Sequence, residues 1–361
     1  MSSIAESYKA IPMNLNHIIP LDFNGVHEIP ESHEWTISTE HPIVDPVTCD
    51  SLPLIDLSDP NALSLIRKAC EEWGAFQVIN HGIPLNLFEE VELQTRRLFS
   101  LPTHQKLTIL RSPDSITGYG MPHIQTFFPK LMWSEGFQLI GYPMEYASQL
   151  WPQEPDQQTN FCDVMEKYQK EMKAFTEKLF EMLLGSLGLT LEDIHWFKPT
   201  TDGSNNHQNV LTLNSYPVCP DPNRTMGLAP HTDTSLITVL HQSGSTGLQV
   251  LKDGSGWVPV VPVSGALVVN LGDLMEVLTN GLFKSIMHRA VANMTNHRVS
   301  VAFFFGPPRD VEIAPLVKLT DEDHPALYCP LTWKEFLQTK AKHFDKALEV
   351  LRNKGAKDNL D

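Results

Sequence analysis

The sequence predicts a mixed α/β fold: an all-β core, a barrel or double-sheet jelly roll, with helices on its N-terminal and C-terminal sides. Three observations predict it. From about residue 207 the chain becomes a series of short apolar runs separated by turn signals. Upstream, apolar residues recur at helical spacing over long stretches. Near the C-terminus, Thr332 and Glu335 match a capping box ahead of another apolar helical face. The expected division is an irregular arm over 1–50, a helix-and-strand region over 51–205, the β core over 206–310 and a helical extension over 311–361.

The elements follow in order. Residues 1–50 are rich in Pro, His and Glu and lack periodicity. LPLIDLS, from Leu52, alternates weakly and reads as a first strand. Asp59-Pro60 suits an N-cap with Pro at the first helical position, and Leu63, Ile66, Cys70 and Trp73 give that helix its apolar face. Gly74 would end it. AFQVIN (75–80) reads as a strand, His81-Gly82 as a turn, and Leu85–Phe99 as a second helix. Residues 100–155 carry Pro, Gly and aromatics and read as strands and loops. A long helix follows, with Phe161, Met165, Tyr168, Met172, Phe175 and Leu179 among its apolar stripe. Then come the candidate strands NVLTLNSY, SLITVLHQ, GLQVLK, GWVPVV, ALVVNL and RVSVAFFF. LQVLK-DGSG-WVPVV has the form of a hairpin.

Composition narrows the function. A formal charge of −16 on 361 residues disfavours nucleic acid, because no basic stripe would offset phosphate repulsion. The five Cys are odd in number and widely spaced, which argues against a disulfide framework and for a reducing compartment. The N-terminus has neither a signal peptide's apolar core nor an Arg-rich transit sequence, and no apolar run approaches membrane-spanning length. A cytoplasmic protein with no membrane partner is expected.

The chemistry concentrates in a few residues. PHTDTSL holds His231 and Asp233, which share a face if the segment is a strand. His288 follows in MHRA. Two imidazoles and one carboxylate leave positions open on an octahedral ion, the arrangement of non-haem Fe(II) oxygenases. Alone, H-x-D suits a buried hydrogen-bonded pair equally well. A second match, His343-Phe344-Asp345, falls on the expected C-terminal helix, where i and i+2 diverge by about 200° and read as surface. RVSVAFFF adds weight. Arg298, Ser300, Ala302 and Phe304 share one face, and a guanidinium beside a hydroxyl suits a carboxylate. A structural salt bridge is the alternative. In NVLTLNSYP, Thr212, Asn214 and Tyr216 share a polar face that could line a site.

These residues resemble the plant 2-oxoglutarate-dependent dioxygenases. The resemblance is carried by WGAFQVINHG (73–82), NSYP (214–217), HTD (231–233), the distal His288 and RVS (298–300), spanning most of the chain from about 50 to 340. It implies a double-stranded β-helix flanked by helices. It also implies Fe(II) on His231, Asp233 and His288, and 2-oxoglutarate on Arg298, Ser300, Tyr216 and Asn214, with O2 as cosubstrate and ascorbate as reductant. Within that group the chain is most similar to gibberellin 3-beta-hydroxylases. FSLPTHQKL (99–107), RSPDSITGYG (111–120), FFPKLMWSEGF (127–137), LPLIDLSDPNA (52–62) and TWKEFLQTKAKHF (332–344) carry that likeness. MPHIQTFFPK (121–130) and AFFFGPP (302–308) depart from it; both are candidate linings of the substrate pocket, which leaves the oxidised ring position, and hydroxylation against desaturation, open.

The implied reaction is hydroxylation of a gibberellin coupled to decarboxylation of 2-oxoglutarate to succinate and CO2, carried out by a monomer. The substrate, a rigid diterpenoid acid, suits an apolar pocket with one cation. Tyr119, Phe137 and Phe304 are candidate walls, and Lys130 or Arg309 candidate carboxylate partners. A gibberellin 2-oxidase, a gibberellin desaturase or a flavonoid-type oxygenase is the nearest alternative. A zinc hydrolase and a non-catalytic barrel binding protein are the rival classes.

Overall fold

The computed structural model describes residues 13–35, 50–197 and 208–353. Cys49, part of the expected N-terminal arm and the expected 205/206 boundary lie outside the described residues.

Among the described residues, Glu312–Ile313 pairs with Leu331–Thr332 as a small third sheet, and twelve strands build the two larger ones. They are β1 (Leu54–Asp56), β2 (Ala75–Ile79), β3 (Gly118–Gly120), β4 (Glu135–Leu139), β5 (Gln208–Tyr216), β6 (Leu228–His231), β7 (Ile237–Gln242), β8 (Leu248–Lys252), β9 (Gly256–Pro259), β10 (Leu267–Leu271), β11 (His288–Ala290) and β12 (Arg298–Gly306). The major sheet runs β1-β2-β10-β7-β12-β5-β4-β3, and the minor sheet β6-β11-β8-β9. All pairings but β1 with β2 are antiparallel. This is a jelly roll whose major sheet extends into the N-terminal region, because β2 pairs with β10 and β4 with β5, and β1 and β3 form the sheet's two edges beyond them.

Helices α1 (Ala62–Glu72), α2 (Leu85–Phe99) and α3 (Pro155–Ser186) cover the outer face of the major sheet, and α4 (Asp273–Leu278) and α5 (Trp333–His343) lie further along the chain. Strand periodicity decides which side chains face the helices. On β12, Val301, Phe303 and Phe305 join the helix-side core, as do Leu211 and Leu213 of β5, Ile237 and Val239 of β7 and Leu267 and Val269 of β10. The alternate residues turn inward, between the sheets. There Val250 and Val258 pack with Val268, Ala75 and Trp73 as a second, smaller cluster.

Several expectations meet local corrections. Helix α1 starts one residue after Asn61, with the Asp59 carboxylate accepting from the Asn61 N–H. Its buried face is Ala62, Ile66, Ala69 and Cys70, and Leu63 is exposed. Gly74 ends the helix at φ +68, where a Cβ would strike the Lys284 carbonyl. The hairpin forms, with Lys252 opposite Gly256. The Thr332–Glu335 capping box is present in α5. That helix stops at His343, because Phe344 turns to φ 42, ψ −109. His343 and Asp345 are both exposed, and neither belongs to a metal-binding cluster among the described residues. No described helix is long and apolar enough to cross a membrane.

Candidate metal and cosubstrate site

The inward faces of the two sheets enclose a cavity of about 210 Å³. Strands β6 and β11, too short to stand out by pattern, place two imidazoles side by side: His231 ends β6, His288 begins β11, and the two residues are direct cross-strand partners. Asp233 lies in the loop just after β6, two residues past the strand end, so shared strand parity is not what aims it. Its position comes from its bonds. The Asp233 carbonyl accepts from the Asp273 N–H at 2.8 Å. Its Oδ2 accepts from Thr238 Oγ1 at 2.6 Å and Asn270 Nδ2 at 2.8 Å. Gly272 lets the chain cross here, since a Cβ at that position would overlap the Ser235 carbonyl.

Oδ1 is thereby left facing the two rings, 3.6 Å from His231 Nε2 and 3.8 Å from His288 Nε2. Each ring's other nitrogen lies against a backbone carbonyl: His231 Nδ1 at 2.8 Å from Ala229 O, His288 Nδ1 at 3.1 Å from Ile286 O. A carbonyl only accepts, so Nδ1 carries the proton and Nε2 offers its lone pair inward. Burial, and then the neighbouring His288, push the His231 imidazole down to about 3, so the ring is neutral near pH 7. Burial alone would raise Asp233. The two imidazoles and the donors on Oδ2 outweigh it and hold the carboxyl below its usual range. Two imidazoles and one carboxylate, all buried, have donor atoms within 4.8 Å of one another. That set fits a divalent metal on one face only.

Across the cavity, Arg298 and Ser300 of β12 pair with Tyr216 and Asn214 of β5, Arg298 opposite Tyr216 and Ser300 opposite Asn214. All four line the cavity. The Arg298 guanidinium is 1% exposed and stacks 4.9 Å over the Tyr216 ring. Its Nη2 donates to Gln242 Oε1 at 3.1 Å, but Nε and Nη1 have no hydrogen-bond partner among the described residues. A buried cation with two unused donors is costly unless an anion completes it. The donor pair suits the far carboxylate of a dicarboxylate such as 2-oxoglutarate. Gly247 makes room, because a Cβ there would sit 2.7 Å from Arg298 Cδ.

Helix α5 braces the metal side from outside the β core. Lys340 Nζ donates to Asp273 Oδ2 at 2.7 Å and to the Thr232 hydroxyl, between the first two ligands in sequence. Ser285 Oγ takes the other Asp273 oxygen at 2.7 Å. This buried ion pair was not anticipated from sequence, since Lys340 looks like an ordinary helix-surface residue.

The expected substrate walls fare differently. Phe304 lines the cavity. Tyr119 and Phe137 do not. On β3 and β4 the inward positions are Gly120, Gly136 and Gln138. Tyr119 instead donates to Glu135, in a buried group with Lys106, and Phe137 packs edge-on against Tyr146. The strands are right and the parity is opposite. Lys130 donates to the Glu31 carbonyl, and Arg309 lies beside Asp310; neither lines the cavity. Met121, Pro122, His123 and Ile124, from the divergent 121–130 segment, line it, and so do Arg111 and Trp333, which sequence reasoning did not single out. The only available signal for Arg111 was its place just before the GYG segment.

Comparison with known proteins fits this geometry. A family model described as the 2OG-Fe(II) oxygenase superfamily matches residues 207–307, and one described as non-haem dioxygenase in morphine synthesis N-terminal matches residues 52–157. The crystal structure of JOX2 in complex with 2OG, Fe and JA superposes with a TM-score of 0.77 at 29% identity, covering 92% of this chain and 96% of that one. Dioxygenase for auxin oxidation 1 from Arabidopsis thaliana, solved with 2-oxoglutarate, gives 0.61 at 27% identity over 76% of this chain and 99% of that one. Fold and site together define a 2-oxoglutarate-dependent Fe(II) dioxygenase. Gibberellin 3-beta-dioxygenase 1 of Pisum sativum is 48% identical, covering 98% of this chain and 94% of that protein, and gibberellin 3-beta-dioxygenase 3 of Arabidopsis thaliana is 48% identical over 98% and 100%. The chain belongs to the gibberellin 3-beta-dioxygenase family.

Proposed function

We propose that the protein hydroxylates a gibberellin at the 3-beta position, consuming 2-oxoglutarate and O2 and releasing succinate and CO2. His231, Asp233 and His288 hold the iron in this reading. Arg298 and Ser300, with Tyr216 and Asn214, hold the far carboxylate of 2-oxoglutarate. The observation that carries it is the buried Arg298 fork, two of whose nitrogens have no hydrogen-bond partner among the described residues, in the same cavity as the triad. The bound iron with 2-oxoglutarate supplies oxidation of an unactivated C–H bond.

The chain's own share is positioning and the exclusion of water. The Ala229 and Ile286 carbonyls fix the ring tautomers, and Thr238 and Asn270 occupy one carboxylate oxygen so that the other faces the rings. Apolar inward residues such as Phe304, Leu240 and Val268 keep the space between the sheets dry. A zinc hydrolase is disfavoured because Asp233 is the only carboxylate among the described cavity residues, leaving no general base. A binding protein would have no use for the triad.

A cytoplasmic location belongs to the same reading, supported by Cys70, Cys162, Cys219 and Cys329 being free thiols. Ascorbate as reductant rests on the family resemblance, and a monomer is tested by light scattering. The division at 50, 205 and 310 is retained as one of roles: arm, covering helices, chemical core and C-terminal brace.

The test is incubation of the purified protein with Fe(II), 2-oxoglutarate, air and candidate gibberellins, with mass-spectrometric identification of products. A 3-beta-hydroxylated product with equimolar succinate is expected. A 2-beta-hydroxylated or desaturated product, or turnover that persists without 2-oxoglutarate, overturns the assignment.

A further inference from the structure

We propose that Ser215 is a positioning residue for the cosubstrate: through a buried hydrogen-bond network on the helix side of the major sheet, it sets the strand that presents Asn214 and Tyr216 against the segment that presents Arg298. This rests on the reading of that end of the cavity as the 2-oxoglutarate site. The outward residues of β4 and β5 are otherwise apolar there: Phe137 and Leu139 on one, Leu211 and Leu213 on the other, all part of the helix-side core. Glu135 and Ser215 break that pattern. They are direct cross-strand partners, 4% and 0% exposed.

The network leaves α2 at one point and returns to it at another. The Ser215 hydroxyl donates to Glu135 Oε1 at 3.3 Å and lies 2.9 Å from His297 Nε2. A carboxylate only accepts, so the single hydroxyl proton goes to Glu135, and the His297 Nε2–H donates to Ser215. Burial, then Arg96 and Lys106, bring His297 down to about 4, so the ring is neutral near pH 7 and that N–H is its only one. Glu135 Oε2 accepts from Lys106 Nζ at 2.6 Å and from the Tyr119 hydroxyl. Lys106 Nζ also donates to the Phe99 carbonyl at the end of α2, at 3.2 Å. Arg96, one turn earlier in α2, donates from Nη1 to the His297 carbonyl at 3.1 Å.

The chain neighbours of these residues point to the network's use. Tyr119 precedes Gly120, Glu135 precedes Gly136, Ser215 sits between Asn214 and Tyr216, and His297 precedes Arg298; each of those neighbours lines the cavity. Successive residues of a strand face opposite sides, so fixing an outward side chain fixes the aim of the inward one. Stability does not account for the network, because well-packed apolar residues commonly serve a core as well as a buried ion pair does. Apolar contacts lack direction, however. A buried hydroxyl that donates to one partner and accepts from another is satisfied at one spacing of β5 against His297. The inward side needs that accuracy, since Arg298 has to meet two oxygens of one carboxylate while Ser300, Asn214 and Tyr216 stay in reach of it.

The test separates cosubstrate affinity from stability. Full-length protein loaded with Mn(II) is titrated with 2-oxoglutarate by calorimetry, and its melting temperature is recorded alongside. S215A should bind 2-oxoglutarate about tenfold more weakly, with Mn(II) affinity unchanged. H297L removes the same contact from its less buried side and should do the same, which decides the matter if S215A does not fold. The double variant should be little weaker than either single one, because both delete one contact. T176A is the control: it loses a buried hydroxyl bond to the Met172 carbonyl, 2.7 Å long, within α3, and should melt lower while binding 2-oxoglutarate normally. Wild-type 2-oxoglutarate affinity in S215A and H297L overturns the proposal. So does a parallel loss of Mn(II) affinity, or a T176A protein that weakens 2-oxoglutarate as much, since either means general loosening. Wild-type protein that binds Mn(II) but no 2-oxoglutarate overturns the reading of the site and this proposal with it. Wild type that binds 2-oxoglutarate no better than the folded variants overturns this proposal alone.

Discussion

The two ends of the cavity are built on different principles. At the end proposed for iron and 2-oxoglutarate, each polar side chain is aimed by regular backbone or locked by a second bond: β12 and β5 present Arg298, Ser300, Asn214 and Tyr216 in register, and Thr238 and Asn270 clamp Asp233. At the end proposed for the substrate, the wall comes from the irregular segment 111–124, from Phe304 and from Trp333 at the start of α5. Bonds to backbone carbonyls set the geometry there. Chemistry shared by a superfamily occupies the rigid sheet, and the part that must fit one substrate sits on loops that can change without disturbing it.

The largest effect should come from Lys340→Met, which leaves Asp273 buried without its cation. Breaking such a pair costs about 3–5 kcal/mol. Because the Asp273 N–H also holds the Asp233 carbonyl, the variant should lose thermal stability and metal affinity together. Normal metal affinity in a destabilised Lys340→Met protein would detach α5 from the rigid end. Arg298→Leu comes next. Losing a charge-assisted pair with the cosubstrate should weaken 2-oxoglutarate binding roughly 100-fold, seen by calorimetry with Mn(II), while metal affinity is retained. An unchanged 2-oxoglutarate affinity would mean that the unbonded Nε and Nη1 serve something else.

Legibility in the sequence follows the same divide. Where one strand face is polar, parity can be read directly: Arg298 with Ser300 and Tyr216 with Asn214 announce an inward face, and the structure turns both toward the cavity. Where both faces are apolar or Gly-rich, as in GYG and EGFQL, nothing in the pattern distinguishes in from out. Tyr119 and Phe137 point away for that reason. The strands β6 and β11 were too short to recognise, yet the motifs they carry stood out, because ligand identity is a stronger signal than three or four residues of alternation. Lys340 was invisible for a further reason: it matters through Asp273, a partner that only the fold brings near.

Asn270→Ala is a finer probe of the rigid end. It removes one of two donors on Asp233 Oδ2 and should lower metal affinity between about 10- and 100-fold, the usual cost of deleting a partner that orients a ligand. The Thr238 bond remains, so the loss should be smaller than that of removing the carboxylate itself. An affinity within experimental error of wild type would mean that the backbone bond to Asp273 alone aims Asp233.

The smallest expected effects decide whether the substrate end is where the cavity places it. Phe304 and Phe137 are both aromatic residues on neighbouring parts of one sheet, but Phe304 is half-buried in the cavity wall and Phe137 is fully buried against Tyr146. Phe304→Leu should raise KM for the gibberellin by roughly three- to tenfold and leave 2-oxoglutarate affinity alone, because apolar contact area is lost only to the substrate. Phe137→Leu should do the reverse. Imperfect refilling of its site should cost about 1–3 kcal/mol of stability, visible as a lower melting temperature, with the gibberellin KM unchanged. A larger KM change in Phe137→Leu than in Phe304→Leu would mean that the substrate lies against the other face of β4, and the assignment of inward residues at that end would have to be inverted.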